Sequence, residues 1–260
     1  MKDISVSIVA YKDYDDIETV VSSLEKHTSG DINKQIYIVD NSCLNDEDEG
    51  KKHCQEQLAA YPDVTYIDTR KNLGFGSGHN VVLKEIDSRY HAIVNPDVII
   101  NEDVLEKIIA FMDQHEEVGM CIPRILDDSG ELQKAYRKEL TVTDMFIRFF
   151  CKPLFPRRVK SHTLQDMDYS KPFQVPFAQG CFLVIRTDLF RQLGGFDENF
   201  FMYLEDADLS KRVNEVSSVY YFPGTSVVHK WEQGSHKNAA LFKIHVASMK
   251  YYFKKWGVKF

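Results

Sequence analysis

Four stretches of the chain carry residues whose types and spacing allow chemistry. Asn95-Pro96-Asp97 closes an apolar run. The proline stops a strand's ladder, and the flanking amide and carboxylate oxygens can point at one hard cation. Asn-Pro-Asp is also an ordinary turn, so the tripeptide alone leaves turn and metal site both open. Glu205-Asp206-Ala207-Asp208 sets three carboxylates within four residues, behind the apolar Phe200-Phe-Met-Tyr-Leu204. Acids at a helix start answer the helix dipole, yet a carboxylate backed by apolar residues also suits proton abstraction in a partly dry cleft. His229 ends a short apolar run and is either a structural histidine or one more contact for a cation. Asn72-Leu-Gly-Phe-Gly-Ser-Gly-His-Asn80 carries Gly74, Gly76 and Gly78, which permit either close backbone approach to an anion or a tightly packed turn. It is a poor dinucleotide fingerprint: it follows the third predicted strand, and His79 stands where GxGxxG needs its last glycine. No GxSxG, HExxH or GxxxxGK[ST] motif occurs.

The elements that must position these residues alternate between two periods. Residues 4–10, 35–40, 64–68 and 92–94 are β-branched or apolar runs that read as strands. Between them, Ile17, Val20, Val21 and Leu24 fall at helical spacing, residues 45–61 read as loop and helix, and the Gly-rich turn feeds a helix through Val81, Val82 and Ile86. Asn101 is the expected N-cap of a helix bearing Val104, Leu105, Ile108 and Ile109. This alternation predicts an α/β fold with right-handed crossovers and a mostly parallel central sheet flanked by helices. Ligands gather beyond the carboxyl ends of such strands, where Asp40, the 72–78 loop and residues 95–97 all fall. After residue 123 the rhythm changes. A hairpin is expected around 127–130, residues 134–160 lack a clean period, and residues 177–186 read as a strand. Thr187 should cap a short helix that Gly194-Gly195 breaks. A helix over 204–216, strands over 219–222 and 226–228, and a helix over 241–260 complete the pattern.

With 260 residues, 43% apolar and 27% charged, the chain suits one compact α/β unit and excludes disordered, collagenous and coiled-coil classes. No run of eighteen apolar residues exists, and Met1-Lys2-Asp3 leads straight into a strand, so neither a spanning helix nor a signal peptide is expected. The net charge of -7 argues against nucleic acid as a partner. Five scattered cysteines without a CxxC pair predict reduced thiols in a cytoplasmic protein, not zinc or disulfides. Local patches differ from the total. Residues 134–160 hold eight Lys/Arg against two acids, interleaved with Phe146, Ile147, Phe149, Phe150, Leu154 and Phe155. The last twenty residues hold five lysines, no acid, and Tyr251, Tyr252, Phe253, Trp256 and Phe260. Such segments suit either an anionic membrane surface or ordinary packing, including a subunit interface in a homodimer.

Taken in order, Val6-Ser-Ile-Val-Ala-Tyr11, Val39-Asp-Asn-Ser42, the 72–80 loop, Asn95-Pro-Asp97, Gln179-Gly-Cys-Phe-Leu-Val-Ile-Arg186 and the run from Gly194 to Asp208 resemble family-2 glycosyltransferases of the GT-A fold. The likeness is to the bacterial rhamnosyltransferase-like branch and spans roughly residues 4–235. It implies a catalytic domain over 1–235, with a nucleotide-sugar half (1–122) and an acceptor-side half (123–235), followed by a basic aromatic helix over 236–260. It implies that Asp40 accepts a hydrogen bond from the donor's pyrimidine, with Ala10 and Tyr11 beside it. Arg70, Asn72, Gly74, Gly76, Gly78 and Asn80 would meet ribose and diphosphate. Asn95 and Asp97 stand at the family's DxD-type motif, which would hold Mg²⁺ or Mn²⁺ with His229 as a further contact. Asn95 replaces the first acid there, so the site lacks one negative charge. Asp206 matches the catalytic base and Glu205 its partner. Gln179, Gly180, Cys181 and Asp208 fall on the acceptor side.

The reaction implied by the resemblance is one in-line displacement. Asp206 takes the proton of an acceptor hydroxyl as it attacks the anomeric carbon, and the configuration inverts. The branch points to dTDP-L-rhamnose as donor, with UDP-hexoses as the alternative, and to a glycan on a polyprenyl diphosphate as acceptor. The protein would then work at the inner face of the plasma membrane. Two competing readings are a nucleotidyltransferase, which would want a basic Gly-rich loop at the first strand, and a non-catalytic glycan-binding module, which would not keep Asp40, Asp97 and Asp206 together.

Overall fold

The computed structural model describes residues 1–230 and 239–260. The predicted boundary at 235/236 lies outside the described residues. The strands are β1 (Lys2–Ala10), β2 (Lys34–Asp40), β3 (Val64–Asp68), β4 (Ser88–Val94), β5 (Val98–Ile99), β6 (Val118–Leu126), β7 (Tyr136–Arg137), β8 (Phe173–Gln174), β9 (Phe177–Ala178), β10 (Phe182–Arg186) and β11 (Ser218–His229). The main sheet runs β3-β2-β1-β4-β10-β6-β11-β5, with β8 also on β11. β1, β2, β3 and β4 are mutually parallel, and β6 is parallel to β11. β10 runs antiparallel between β4 and β6, so the sheet is mostly parallel, as the alternation predicts.

Register explains why distant residues meet. Ala10 lies opposite Asp40, Ile8 opposite Val94, and Phe182 opposite Val94 from the other side. Val228 lies opposite Leu126 and His229 opposite Val98. One edge of the sheet therefore collects the ends of β1, β2, β4 and β11 and the start of β10. The strands are near-continuous apolar runs because helices cover both faces. Ile4, Val6, Ile8, Ile36, Ile38, Ile93, Val94, Val184 and Ile185 are all fully buried.

Several local expectations need correction. The helix of the Gly-rich segment is short and starts inside the loop, at Phe75–Asn80, and residues 81–85 are turns. The Asn80 side chain is drawn out to bond the Phe196 backbone at both N–H and C=O, each at 2.8 Å. The helix cap is Asp103, which accepts from the Glu106 N–H at 3.1 Å; Asn101 does not cap. Thr187 makes no cap, its hydroxyl lying 3.3 Å from the Ser88 hydroxyl. The predicted strand over 177–186 is broken at 179–181, because the Gln179 N–H turns to the Ala135 C=O and the Gly180 N–H to Asp206. The two predicted strands over 219–228 are one, β11, with a register shift between Phe222 and Ser226 where Pro223 cannot donate. The 127–130 hairpin is short, closed by the Leu126–Leu132 bridge, the Asp127 N–H on the Glu131 C=O at 2.9 Å and the Gln133 N–H on the Ile125 C=O at 2.8 Å.

A second apolar cluster joins Leu140, Met145, Phe177, Phe200, Leu204, Ala207, Tyr252 and Phe253. It seats the C-terminal helix, Ala239–Trp256, against the turn that carries Glu205 and Asp206. The aromatic face of that helix thus packs inward, and Lys255 and Lys259 pair with Asp197, Asp208 and Glu139. Among the described residues, no helix is long and apolar enough to cross a membrane.

Candidate active site

At the shared sheet edge the Asn95 N–H donates to the Cys181 C=O at 2.9 Å, tying the end of β4 to the start of β10. Asp97 Oδ2 lies 3.3 Å from His229 Nε2. Gln133 fixes the other face of that histidine, with its side chain 3.2 Å from Nδ1 and 2.6 Å from the backbone C=O. Burial pushes the His229 imidazole down, but the Cys181 sulfur and Asp97 push it up by more, to about 10. Asn95 Oδ1 and Asp97 Oδ1 are buried oxygens without a partner among the described residues. Buried polar atoms are rarely left so, and two orphaned oxygens beside an imidazole fit a divalent cation. Among the described residues no three His, Cys, Asp or Glu side chains converge, in keeping with an amide at position 95. Asp13 was not singled out in the sequence. Burial raises its carboxyl, and Asp16 and Asp97 facing it add to the rise. Its one local signal is an acid just past the end of β1.

Asp206 opens the helix Glu205–Val216. Tyr203 and Leu204 both hold left-handed backbone conformations, at φ 72° and 69°. Two consecutive non-glycine residues there store strain, held by the second apolar cluster. Gly180 donates its N–H to Asp206 Oδ2 at 3.0 Å and Ala207 donates to Oδ1 at 2.8 Å. A side chain at Gly180 would come within 3.1 Å of the Asp206 Cβ. Burial raises the Asp206 carboxyl, while those two N–H groups and the Arg137 guanidinium oppose the rise. Glu205 is pushed well above the usual range by burial and by Asp206, and its Oε2 has no partner.

The donor-side residues divide. Ala10 is buried and Tyr11 exposed. Asp40 is buried, its Oδ2 accepting from Tyr14 and Tyr66 at 3.0 and 2.5 Å and its Oδ1 from the Ser42 N–H at 2.8 Å. Any base contact at Asp40 is left to Oδ1. Arg70 is exposed and pairs with Asp46 and Asp68 at 2.9 and 2.8 Å. Asn72 Oδ1 accepts from the Gly74 N–H, and the Phe75 N–H donates to the Phe201 C=O. Gly74 (φ 85°) has no room for a Cβ, which would lie 2.0 Å from the Phe201 oxygen; Gly76 and Gly78 press on Phe196 and on Val9 and Asn41. The open faces of these three glycines are turned to protein, so close packing explains the spacing, and Asn80 is committed to residues 196–198.

On the acceptor side, Gly180 touches Asp206, Gln179 lies next to it, and Cys181 reaches His229. Asp208 is not with them. It is fully buried and bonded to Arg212, Lys255 and the Trp256 Nε1 at 2.8, 2.6 and 2.9 Å, which makes it the anchor of the C-terminal helix. A cavity of about 700 Å³ is lined in part by Gln133, Arg137, Asp144, Arg148, His162 and His229. Asp206 does not line it, but its charge acts on the Arg137 and Arg148 of its wall.

The Glycosyl transferase family 2 model matches residues 5–194. The N-acetylglucosaminyl-diphospho-decaprenol L-rhamnosyltransferase of Mycobacterium tuberculosis (strain ATCC 25618 / H37Rv) is 25% identical over 189 residues, 67% of this chain and 61% of that protein. Rhamnosyltransferase WbbL of Escherichia coli (strain K12) is 24% identical over 200 residues, 74% of this chain and 71% of that protein. The chain thus spans about three fifths of the mycobacterial relative's length. GalNAc-T7, solved with UDP, GalNAc and Mn²⁺, superposes with a TM-score of 0.68 at 15% identity, over 95% of this chain and 47% of that one. The mannosyltransferase PcManGT of Pyrobaculum calidifontis, solved with GDP-Man and Mn²⁺, gives 0.62 at 14% identity, over 96% and 66%. These likenesses show the GT-A fold. The stretch from 5 to 194 covers most of the strands that carry the site, and on that match the chain belongs to glycosyl transferase family 2.

Proposed function

We propose that the chain is an inverting glycosyltransferase that moves a sugar from a nucleoside diphosphate to a hydroxyl of a lipid-linked glycan. The observation that carries this reading is the placement of Asp206. It is a half-buried carboxylate, fixed by the Gly180 N–H just before β10, where the Cys181 C=O binds Asn95, and its charge acts on Arg137 and Arg148 of the cavity wall. Asp206 would accept the proton of the acceptor hydroxyl at a lone pair that Gly180 and Ala207 leave unused. Burial and Asp206 push the Glu205 carboxyl well up, which favours placing the pair's negative charge on Asp206. Asn95, Asp97 and His229 would hold Mg²⁺ or Mn²⁺, which when bound neutralises charge on the leaving diphosphate. The strained turn at Tyr203 and Leu204 keeps the base in position, and the helix Ala239–Trp256 braces that turn.

The donor we infer is dTDP-L-rhamnose, supported by the names of two relatives, with UDP-hexoses as the alternative. The acceptor is a polyprenyl-diphosphate-linked glycan, supported by the mycobacterial relative's name. Exposed Phe146, Phe150 and Leu154 would rest on the inner face of the plasma membrane. Nucleotide release from a panel of dTDP- and UDP-sugars, with and without Mg²⁺ or Mn²⁺, tests the reading. Turnover with one donor is expected. Neither turnover nor binding across the panel would point to a non-catalytic module.

A further inference from the structure

Arg137 is a buried cation, 7% exposed, whose Nε has no partner among the described residues. Among the described residues no carboxylate lies within ion-pair distance of Arg137 or of Arg148, the second guanidinium of the same cavity. The Arg137 guanidinium lies 5.7 Å from the Phe177 ring centre and that of Arg148 5.8 Å from the Phe149 ring centre. Burial and the neighbouring Arg148 push Arg137 down to about 9, with Asp206 acting in the opposite direction. Taking a guanidinium out of water costs several kcal/mol unless an anion answers it. The carboxylate of Asp144, which also lines the cavity, is already taken by Arg158 at 2.6 Å, Thr141 at 2.6 Å and His162 at 3.5 Å. The wall therefore presents two guanidiniums unanswered among the described residues, with Lys134, Lys152 and Lys230 outnumbering Asp127 and Asp128 on the rest of the lining.

Phe146, Phe150 and Leu154 are 57%, 67% and 77% exposed and lie on the segment that carries Arg148 and Lys152. An anion that answers these guanidiniums while an apolar tail follows the exposed side chains of the same segment has the chemistry of a lipid diphosphate. Planar guanidiniums bind phosphate oxygens in pairs, and two of them match the charge of a diphosphate.

We infer that Arg137 and Arg148 form the acceptor's diphosphate subsite, so that the cavity grips the lipid-linked diphosphate while the glycan hydroxyl reaches Asp206. This deepens the proposed transfer reaction and rests on it. The same oxyanion chemistry would also be offered by the donor's nucleoside diphosphate, and the test separates the two.

The experiment is equilibrium binding of farnesyl diphosphate and of inorganic pyrophosphate to the full chain, read by calorimetry and needing no turnover. Both should bind, farnesyl diphosphate more tightly, and excess UDP or dTDP should not displace them. Arg148→Gln and Arg137→Met should each weaken binding about 10- to 100-fold, as loss of a charged hydrogen bond does. Arg137→Met should at the same time raise the Tm in the absence of ligand, since it removes an uncompensated buried charge. A merely structural arginine would lower it. Failure of wild type to bind either compound, wild-type affinity in either variant, or displacement by UDP or dTDP would overturn the acceptor subsite. A chain that binds farnesyl diphosphate as expected but releases no nucleotide from any donor would instead overturn the transfer reaction and leave the subsite standing.

Discussion

The Gly180 N–H donates to Asp206 Oδ2 at 3.0 Å. Gly180 precedes the antiparallel strand β10 and Asp206 opens a helix 26 residues later, so this one bond ties the proposed base to the sheet. The same turn of chain passes the Cys181 C=O to Asn95. The base and the candidate metal ligands are thus fixed by adjacent residues of one segment.

Asp206→Asn keeps shape and burial but cannot take a proton. Transfer should fall by about 10³-fold while donor binding stays near wild type. Since burial raises the Asp206 carboxyl, the wild-type rate should also be lost as pH falls through that raised value and recover above it. Single-turnover kinetics against pH would check both. Substantial turnover in the asparagine variant would remove Asp206 from the role of base.

Much of this edge was legible because strand ends are local signals. The run before Asn95-Pro96-Asp97 is apolar and its proline ends the ladder, and β2 likewise ends at Asp40, so topology alone brings both to one edge. Contacts between distant segments were not legible. Nothing near Gly76 or Gly78 in the sequence reveals that Phe196 and Val9 fill the space a side chain would need. Asp208 belongs to the same acidic run as Asp206, yet one helix turn of geometry sends it to Trp256 and Lys255. Arg137 had no signal of its own, because the Phe177 ring 5.7 Å from its guanidinium and the other walls of its cavity come from elsewhere in the chain.

Asp97→Asn removes the charge of the carboxylate that bears one of the two orphaned oxygens. Mn²⁺-dependent donor binding should weaken by about tenfold or more, and Asn95→Asp, which restores a charge, should strengthen it. Calorimetric titration of Mn²⁺ at fixed nucleotide sugar would read both. Equal Mn²⁺ affinity in all three proteins would place the ion elsewhere.

Asp208→Ala should act on stability and not on the acceptor. It leaves Arg212, Lys255 and the Trp256 N–H without their shared oxygen partners, and breaking such a buried pair costs about 3 kcal/mol. The expected result is a lowered Tm with an unchanged acceptor KM. An unchanged Tm with a raised KM would return Asp208 to the acceptor side.

Membrane contact should depend on the 146–155 segment more than on the C-terminal helix. Tyr252 and Phe253 are buried, whereas Phe150 and Leu154 are exposed. Phe150→Ser with Leu154→Ser should reduce flotation with anionic liposomes by about tenfold or more, since each buried apolar side chain contributes about 1.5–3 kcal/mol. Flotation equal to wild type would exclude this face as the contact.

Beneath the Gly-rich segment lies a buried pair of histidines that sets an acid limit. The Ser7 hydroxyl bonds His79 Nδ1 at 2.7 Å and His91 Nε2 at 2.9 Å, and the Ser5 hydroxyl bonds His91 Nδ1 at 2.7 Å. Burial pushes His91 down to about 3, and burial with the neighbouring His91 pushes His79 well below its ordinary value. Both rings are neutral in the folded chain, while the unfolded chain protonates them near pH 6.5. Their contribution is therefore complete above about pH 6.5 and is lost as pH falls from there toward 3, by up to about tenfold in the folding constant per pH unit for each ring. Carboxylates held low by pairing, such as Asp197, weaken the fold only below about pH 4. His162, pushed down to about 4 by burial, adds to the histidine loss and the raised Glu205 and Asp206 oppose it, so the comparison with a variant isolates the pair. Denaturant melts between pH 7 and 4.5 should show this loss, and a His91→Gln variant should show a shallower one. The same pH dependence in His91→Gln as in wild type would mean that the His91 ring is not held neutral.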